Sequence, residues 1–296
     1  MKYWQEQGKL KIAAPAKINL FLEILGKRPD GYHEIETVMQ GISLYDYISM
    51  EDSGKGMEFT CSNPKLSVGE DNLVLKAVRI FQKESGISRG VKIHLEKGIP
   101  VGAGLGGGSS DAVATLFGLN KLWQVGYDEG KLVSLAGELG SDTPFFVFGN
   151  TAICKGRGEL VTPCVLPVPY TYIILYPRFE VSTATVYNNF KIVLTKNLKD
   201  VSFFLQALAS GNPERLGASL YNRLEDVVFR LYPDIGKIKK TLAKFDFCGT
   251  LLSGSGSALY GLCKGERDSK EIERQIKMLD VGDVFVVTSD VNGNAK

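Results

Sequence analysis

Early in the chain, apolar side chains recur at every second position. Ile18, Leu20, Leu22 and Ile24 alternate with polar or smaller neighbours, the period-2 pattern of a half-buried strand. GKRPDGYH, with its Pro and Asp-Gly, interrupts that pattern as a loop, and TVMQGISLYDYISM resumes it. In VKIHLE, Val91, Ile93 and Leu95 share one face of a strand and His94 falls on the polar face.

From Ser109 the period changes. SSDAVATLFGLNKLW carries Val113, Leu116, Phe117 and Trp123 at helical spacing, which predicts a helix with one apolar face. Ser109 or Ser110 suits its N-cap, and Asp111 suits the positive end of its dipole. KLVSLAGELG predicts a helix stopped by Gly140, and SDTPFFVFG a turn into a helix with Pro144 at the first helical position. TAICKGRG reads as a strand and turn, whereas three prolines in VTPCVLPVPY read as a connection. Beyond it the pattern predicts a strand (YTYIILYP) and helical segments between about Thr183 and Phe245. Two short strands around the glycine turn SGSGS, a charged helix from about Asp268 to Met278 and a last strand (VFVVTS) complete the chain. There is no internal repeat, so the pattern is two α+β lobes divided at the proline-rich connection, residues 1–165 and 166–296.

Composition narrows the classes without naming a function. Apolar residues make up 44% and charged residues 23% of 296, ordinary for a soluble globular protein. A net charge of +2 gives no reason to expect nucleic acid. No segment has the roughly 18–20 apolar residues of a membrane span, and MKYWQEQGKLKIAAPAK lacks a secretory apolar region, so the expected location is cytoplasmic. Five scattered cysteines and two histidines, with no CxxC pair, predict reduced, mostly buried thiols and no zinc site.

The chemistry concentrates in PVGAGLGGGSSDA. Five of the seven residues from Gly102 to Gly108 are glycine, directly ahead of a predicted helix. Bare backbone at a helix N-terminus is a natural phosphate cradle. A Walker A loop is excluded, because no Gly-Lys pair is followed by Ser or Thr. A dinucleotide fingerprint is spelled by Gly102, Gly104 and Gly107, but the strand ending in an acidic residue that it requires does not follow. Three further segments have the makings of a site. APAKINLFLEI puts Lys17 and Asn19 on one side of a strand, SDTPFF puts Asp142 before an apolar run, and SGSGS offers free amides near Ser255. Taken singly, Lys17 could be a solvated strand residue, Asp142 a helix cap and SGSGS an ordinary turn. Together they suit phosphoryl transfer, with Asp142 orienting or deprotonating a hydroxyl and Lys17 keeping that carboxylate ionised.

These four segments, PVGAGLGGGSSDA, APAKINLFL, ELGSDTPFF and LLSGSGSALYG, resemble in order the motifs of the GHMP kinases (galactokinase, homoserine kinase, mevalonate kinase, phosphomevalonate kinase). GKRPDGYHEIETV is more specific: it resembles the branch acting on 4-diphosphocytidyl-2-C-methyl-D-erythritol. The resemblance implies a ribosomal-protein-S5-like N-terminal lobe and a ferredoxin-like C-terminal lobe, as a monomer or homodimer. It implies Lys17 and Asp142 as the catalytic pair. Pro100, Val101, Gly102, Ala103, Gly104, Leu105, Gly106, Gly107, Gly108, Ser109 and Ser110 would wrap the phosphates of ATP, with Asp71, Asn72 and Lys97 toward adenosine. Magnesium would arrive with ATP. Asn19, Tyr32, His33, Thr183 and Tyr187 would hold the cytidine substrate, with His33 or Tyr32 and Tyr187 sandwiching the base by stacking.

Overall fold

The computed structural model describes residues 1–191 and 198–289; the part of the expected helical stretch that falls at 192–197 lies outside them. In chain order the first lobe contains β1 (Lys2–Glu6), β2 (Lys9–Lys27), β3 (His33–Gly54), β4 (Met57–Cys61) and α1 (Leu73–Ser85). It continues with β5 (Gly90–Glu96), α2 (Gly107–Leu122), α3 (Glu129–Leu139), α4 (Thr143–Phe148), β6 (Thr151–Gly156) and β7 (Leu160–Cys164). The second holds β8 (Thr171–Tyr176), α5 (Thr183–Asn189), α6 (Val201–Ala209), α7 (Pro213–Ser219), β9 (Tyr221–Asn222) and α8 (Glu225–Leu231). It ends with α9 (Pro233–Leu242), β10 (Gly249–Leu252), β11 (Leu259–Leu262), α10 (Glu266–Met278) and β12 (Asp283–Thr288).

The long β2–β3 hairpin is the frame. It pairs antiparallel from Leu10↔Met50 to Lys27↔His33, and register shifts at Pro15/Ala16, Asn19/Phe21 and Ile24/Gly26 let it bend. Pro15, which has no N–H, sits at the first shift, where no regular ladder bond is lost. The bend lets β3 serve two neighbours: Ile35–Gln40 pairs with β6, and Tyr47–Asp52 pairs with β5. The second sheet, in the order β10-β11-β8-β12, is antiparallel throughout. Two-residue β9 returns from the second lobe to pair with Phe21 and Leu22 of β2.

The core covers two elements more completely than their sequence pattern implies. The strand expected to be half-buried is buried on both faces from Ala13 to Ile24. Ile18 and Leu20 pack with Tyr172 and Tyr260 of the second sheet, while Ala14 packs with Ala112 and Phe146 of the helical layer. Likewise α2 is a central helix, not an amphipathic one: Ser110 to Leu116 are all buried, and a Cβ on Gly118 would collide with Met50 and Ile12. Its N-cap is Gly106, so neither Ser109 nor Ser110 caps it.

Helix α3 does end at Gly140, but in extended backbone (φ 172°), without the left-handed stop that glycine usually supplies there. Pro144 is the second residue of α4, after Thr143. Part of the expected proline-rich connection is a strand, β7, which among the described residues pairs only with β6 and so, as an edge, tolerates Pro163. Helix α1 was not anticipated; Asn72 caps it and Gly86 ends it in the left-handed region. All five cysteines are free, but only Cys154 and Cys263 are buried. Among the described residues no helix is long and apolar enough to cross a membrane.

Candidate active site

The two glycine turns meet beside β2. The first is tied down by backbone from three directions. Lys17 N–H donates to the Leu105 carbonyl (2.9 Å), Ala258 N–H to Ala103 (3.0 Å) and Val181 N–H to Gly102 (3.0 Å). The Ser253 hydroxyl donates to the Gly104 carbonyl (2.9 Å). Two glycines are required by this crowding as well as by their left-handed backbone. A Cβ on Gly104 (φ +75°) would strike the Ser253 carbonyl, and one on Gly106 (φ +72°) would strike the Phe146 ring and the Lys17 stem. Because no side chain caps α2, its first-turn amides are left for an anion at the positive end of the dipole. Gly107, Gly108 and Ser109 line the cleft there, while Ser110 points inward, its buried hydroxyl without a hydrogen-bond partner.

Lys17 is 3% exposed. Its Nζ donates to Asn19 Oδ1 (2.8 Å) and to the Gly104 carbonyl (3.0 Å), and lies 3.6 Å from Asp142 Oδ2. Asn19 is fixed in turn by Thr37 Oγ1 (2.9 Å), so the ammonium is held from below by a chain of buried polar groups. Asp142 occupies the N-cap position of α4 but accepts no capping bond. Its side chain, 34% exposed, faces Lys17 and the cleft instead, which sets aside its reading as a mere cap.

A single cavity of about 910 Å³ runs from Asn72 past the glycine loop and the Lys17–Asp142 pair to Tyr32 and Tyr187. Every site residue expected from the sequence lines it except Ser110, which stands behind its wall. At the Asn72 end, two side chains are occupied elsewhere. Asn72 accepts from Val74 N–H (2.9 Å) and donates to the Ser67 carbonyl (2.6 Å). The Lys97 ammonium is buried between Asp46 and Asp111. Burial works against that charge, but the two carboxylates outweigh it and hold the Lys97 pKa above its ordinary value.

At the other end, the loop between β2 and β3 is braced by Arg28, whose guanidinium bonds Asp30 and Glu34 (2.6 Å). The braced loop carries Tyr32, 52% exposed, and His33. The His33 ring lies 5.2 Å from that of Tyr187, so the two are in contact and leave no room between them for a base as they stand. Burial, then the charge of Lys27, keeps the His33 pKa below its ordinary value. Burial, then the charge of Asp142, pushes the Tyr187 phenol up. Thr183 Oγ1 is 2.8 Å from Ser255 Oγ, joining α5 to the second glycine turn. Arg157 was missed by the sequence reading; its guanidinium lies 4.9 Å above the Tyr32 ring and lines the cleft. The only signal for it was its place in the turn KGRG, which is ordinary for a surface arginine.

A glycine loop feeding a buried helix between two α+β lobes, with a Lys–Asp pair at its mouth, is the arrangement of the GHMP kinases, and comparisons with known families bear the class out. The GHMP kinases N terminal domain family matches residues 72–150, and the GHMP kinases C terminal family matches residues 204–278. The solved structure of a homoserine kinase from Cytophaga hutchinsonii shares the fold, with a TM-score of 0.76 at 22% identity over 97% of this chain and 96% of that one. Closer relatives narrow the class. The 4-diphosphocytidyl-2-C-methyl-D-erythritol kinase of Pelotomaculum thermopropionicum is 39% identical over 90% of this chain and 93% of its own. That of Shouchella clausii is 41% identical over 87% of each. A crystal structure of 4-(cytidine 5'-diphospho)-2C-methyl-D-erythritol kinase aligns with a TM-score of 0.81 at 35% identity, over 94% of this chain and 98% of that one. The chain belongs to the 4-diphosphocytidyl-2-C-methyl-D-erythritol kinase family.

Proposed function

We infer that the protein transfers the γ-phosphoryl group of ATP to the 2-hydroxyl of 4-diphosphocytidyl-2-C-methyl-D-erythritol, a step in non-mevalonate isoprenoid synthesis. The observation that carries this reading is the position of the Lys17–Asp142 pair, 3.6 Å apart, where the glycine loop and the aromatic loop face one cleft. The γ-phosphate would lie over the loop and the amides of Gly107 and Gly108, toward Lys17. The acceptor hydroxyl would reach Asp142, which takes or orients its proton, while Lys17 offsets charge on the transferred group. Asn72 and Lys97 bound the adenosine end; Asn19, Thr183, His33, Tyr32 and Tyr187 bound the cytidine end. Since His33 and Tyr187 touch, a stacked base would lie on an outer face of one ring or part them.

Magnesium arriving with ATP would supply positive charge that offsets the charge developing on the transferred phosphoryl group. Ser110 is turned away behind the wall, but Ser109, which lines the cleft in the first turn of α2, would offer a hydroxyl oxygen to such an ion, which needs few protein oxygens beside phosphate and water. The remaining parts of the proposal are a division of the lobes near residue 165, a cytoplasmic location, and a monomer or homodimer that engages neither membrane nor nucleic acid. The test is ADP release with magnesium-ATP and each of four acceptors: the diphosphocytidyl methylerythritol, homoserine, mevalonate and galactose. Release with the first alone is expected. Release with another acceptor would keep the kinase and overturn the substrate.

A further inference from the structure

Behind the glycine loop lies a charge cluster of Asp46, Lys97 and Asp111, of which Lys97 and Asp111 reach the cleft and Asp46 does not. Asp46, on β3, is wholly buried. Its Oδ1 accepts from the N–H groups of Gly98 (2.7 Å) and Ile99 (2.8 Å), the two residues just ahead of Pro100. Its Oδ2 accepts from the Lys97 ammonium. Lys97 reaches across to Asp111 Oδ2 (2.8 Å), in the first part of α2. The loop therefore leaves from one side of the cluster and returns to the other. Gly107 rests against it: a Cβ there would come within 3.2 Å of both Asp46 Oδ2 and Lys97 Nζ.

Two carboxylates share one ammonium, and Asp111 keeps a second oxygen with no partner. Burial drives the Asp111 pKa well up, against the pull of Lys97. Buried charges cost desolvation, and apolar packing is often as stable, so such a cluster is a poor choice for stability alone. What apolar packing cannot supply is directional bonding to both stems of one loop.

We propose that Asp46 and Lys97 are positioning residues for nucleotide binding: clamping residues 97–99 to the start of α2, they hold the glycine loop in its phosphate-accepting shape. This rests on the kinase reading and deepens it, giving Lys97 a part played through the loop. The test is calorimetric titration of Asp46→Asn with magnesium-ATP and, separately, with the cytidine substrate, well below the melting temperature. Loss of the clamp is expected to weaken ATP binding by ~10-fold or more, because misplaced groups lose binding steeply, while substrate affinity holds. If Asp46→Asn does not fold, Asp111→Asn, which removes the carboxylate that ties Lys97 to α2, carries the same expectation. Wild-type ATP affinity in the folded variant, even with a lowered melting temperature, would overturn the proposal. Equal losses for both ligands would also overturn it, since a general loosening predicts no split. If the wild-type protein binds no magnesium-ATP, the kinase reading fails first and the clamp falls with it.

Discussion

The two ends of the cleft are built in opposite ways. The glycine-loop end consists of backbone held by buried groups: Leu105, Ala103 and Gly104 are each bonded from another element, and Lys17 is almost out of solvent. The Tyr32 end consists of half-exposed side chains on a loop and a short helix, braced at the surface by Arg28. Phosphate is recognised by amides and charge, which tolerate little displacement, and the bonds from other elements suit that end to such a role. A base is recognised by flat side chains, which a loop can present and re-aim. In the proposed function, the phosphoryl chemistry would sit at the first end and the acceptor would be chosen at the second.

That contrast can be broken at its junction. Replacing Asp142 by Asn should lower kcat by ~10²–10⁴-fold, the range for a lost general base, with little change in ATP affinity. A variant that kept most of its turnover would take Asp142 out of the chemistry. Next in size, Gly104→Ala forces a side chain into left-handed backbone against the Ser253 carbonyl. About 1–3 kcal/mol of strain should appear as a ~10-fold or larger rise in the KM for ATP, with the KM for the acceptor unmoved. Tyr187→Ala should do the reverse: losing one stacking partner raises the acceptor KM ~10–100-fold and leaves ATP alone. Equal effects on both substrates would put Tyr187 outside the cytidine end.

Two smaller effects sharpen the picture. Removing the Arg157 guanidinium frees Tyr32 and should raise the acceptor KM ~2–5-fold, in line with an exposed cation–π contact. The His33 pKa is held down, first by burial and then by Lys27, so the neutral ring is favoured in the folded protein. The unfolded chain then takes up a proton first as pH falls. This contribution is complete above the ordinary histidine range and declines on acidification through it. Melting temperature and acceptor affinity should both drop slightly between about pH 7 and about pH 5, and His33→Gln should blunt both trends. An unchanged pH profile in that variant would remove His33 from the site.

Much of this was legible in the sequence, and the reasons are local. The crowded glycines of PVGAGLGGGSSDA announce close backbone approach, and Lys17 and Asn19 two apart on a strand must point the same way. What failed was whatever a distant element decides. β2 alternates like a half-exposed strand, yet both faces are covered, because a second sheet packs on the side a single lobe would leave wet. Ser110 looks like a cap in sequence, but the helix starts earlier, at Gly107, and turns that hydroxyl inward. Asp46, in a strand that reads as ordinary, gave no sign that it would meet Lys97 and Asp111 from elsewhere in the chain.

The central claim is that one cleft brings phosphate donor and acceptor together at Lys17 and Asp142. It is tested most directly by a crystal structure with a non-hydrolysable ATP analogue, magnesium and 4-diphosphocytidyl-2-C-methyl-D-erythritol. The terminal phosphate is expected beside Lys17 over the glycine loop, and the 2-hydroxyl within ~3.2 Å of an Asp142 carboxylate oxygen. An acceptor bound elsewhere, or one whose 2-hydroxyl points away from Asp142 with the nucleotide in place, would contradict it.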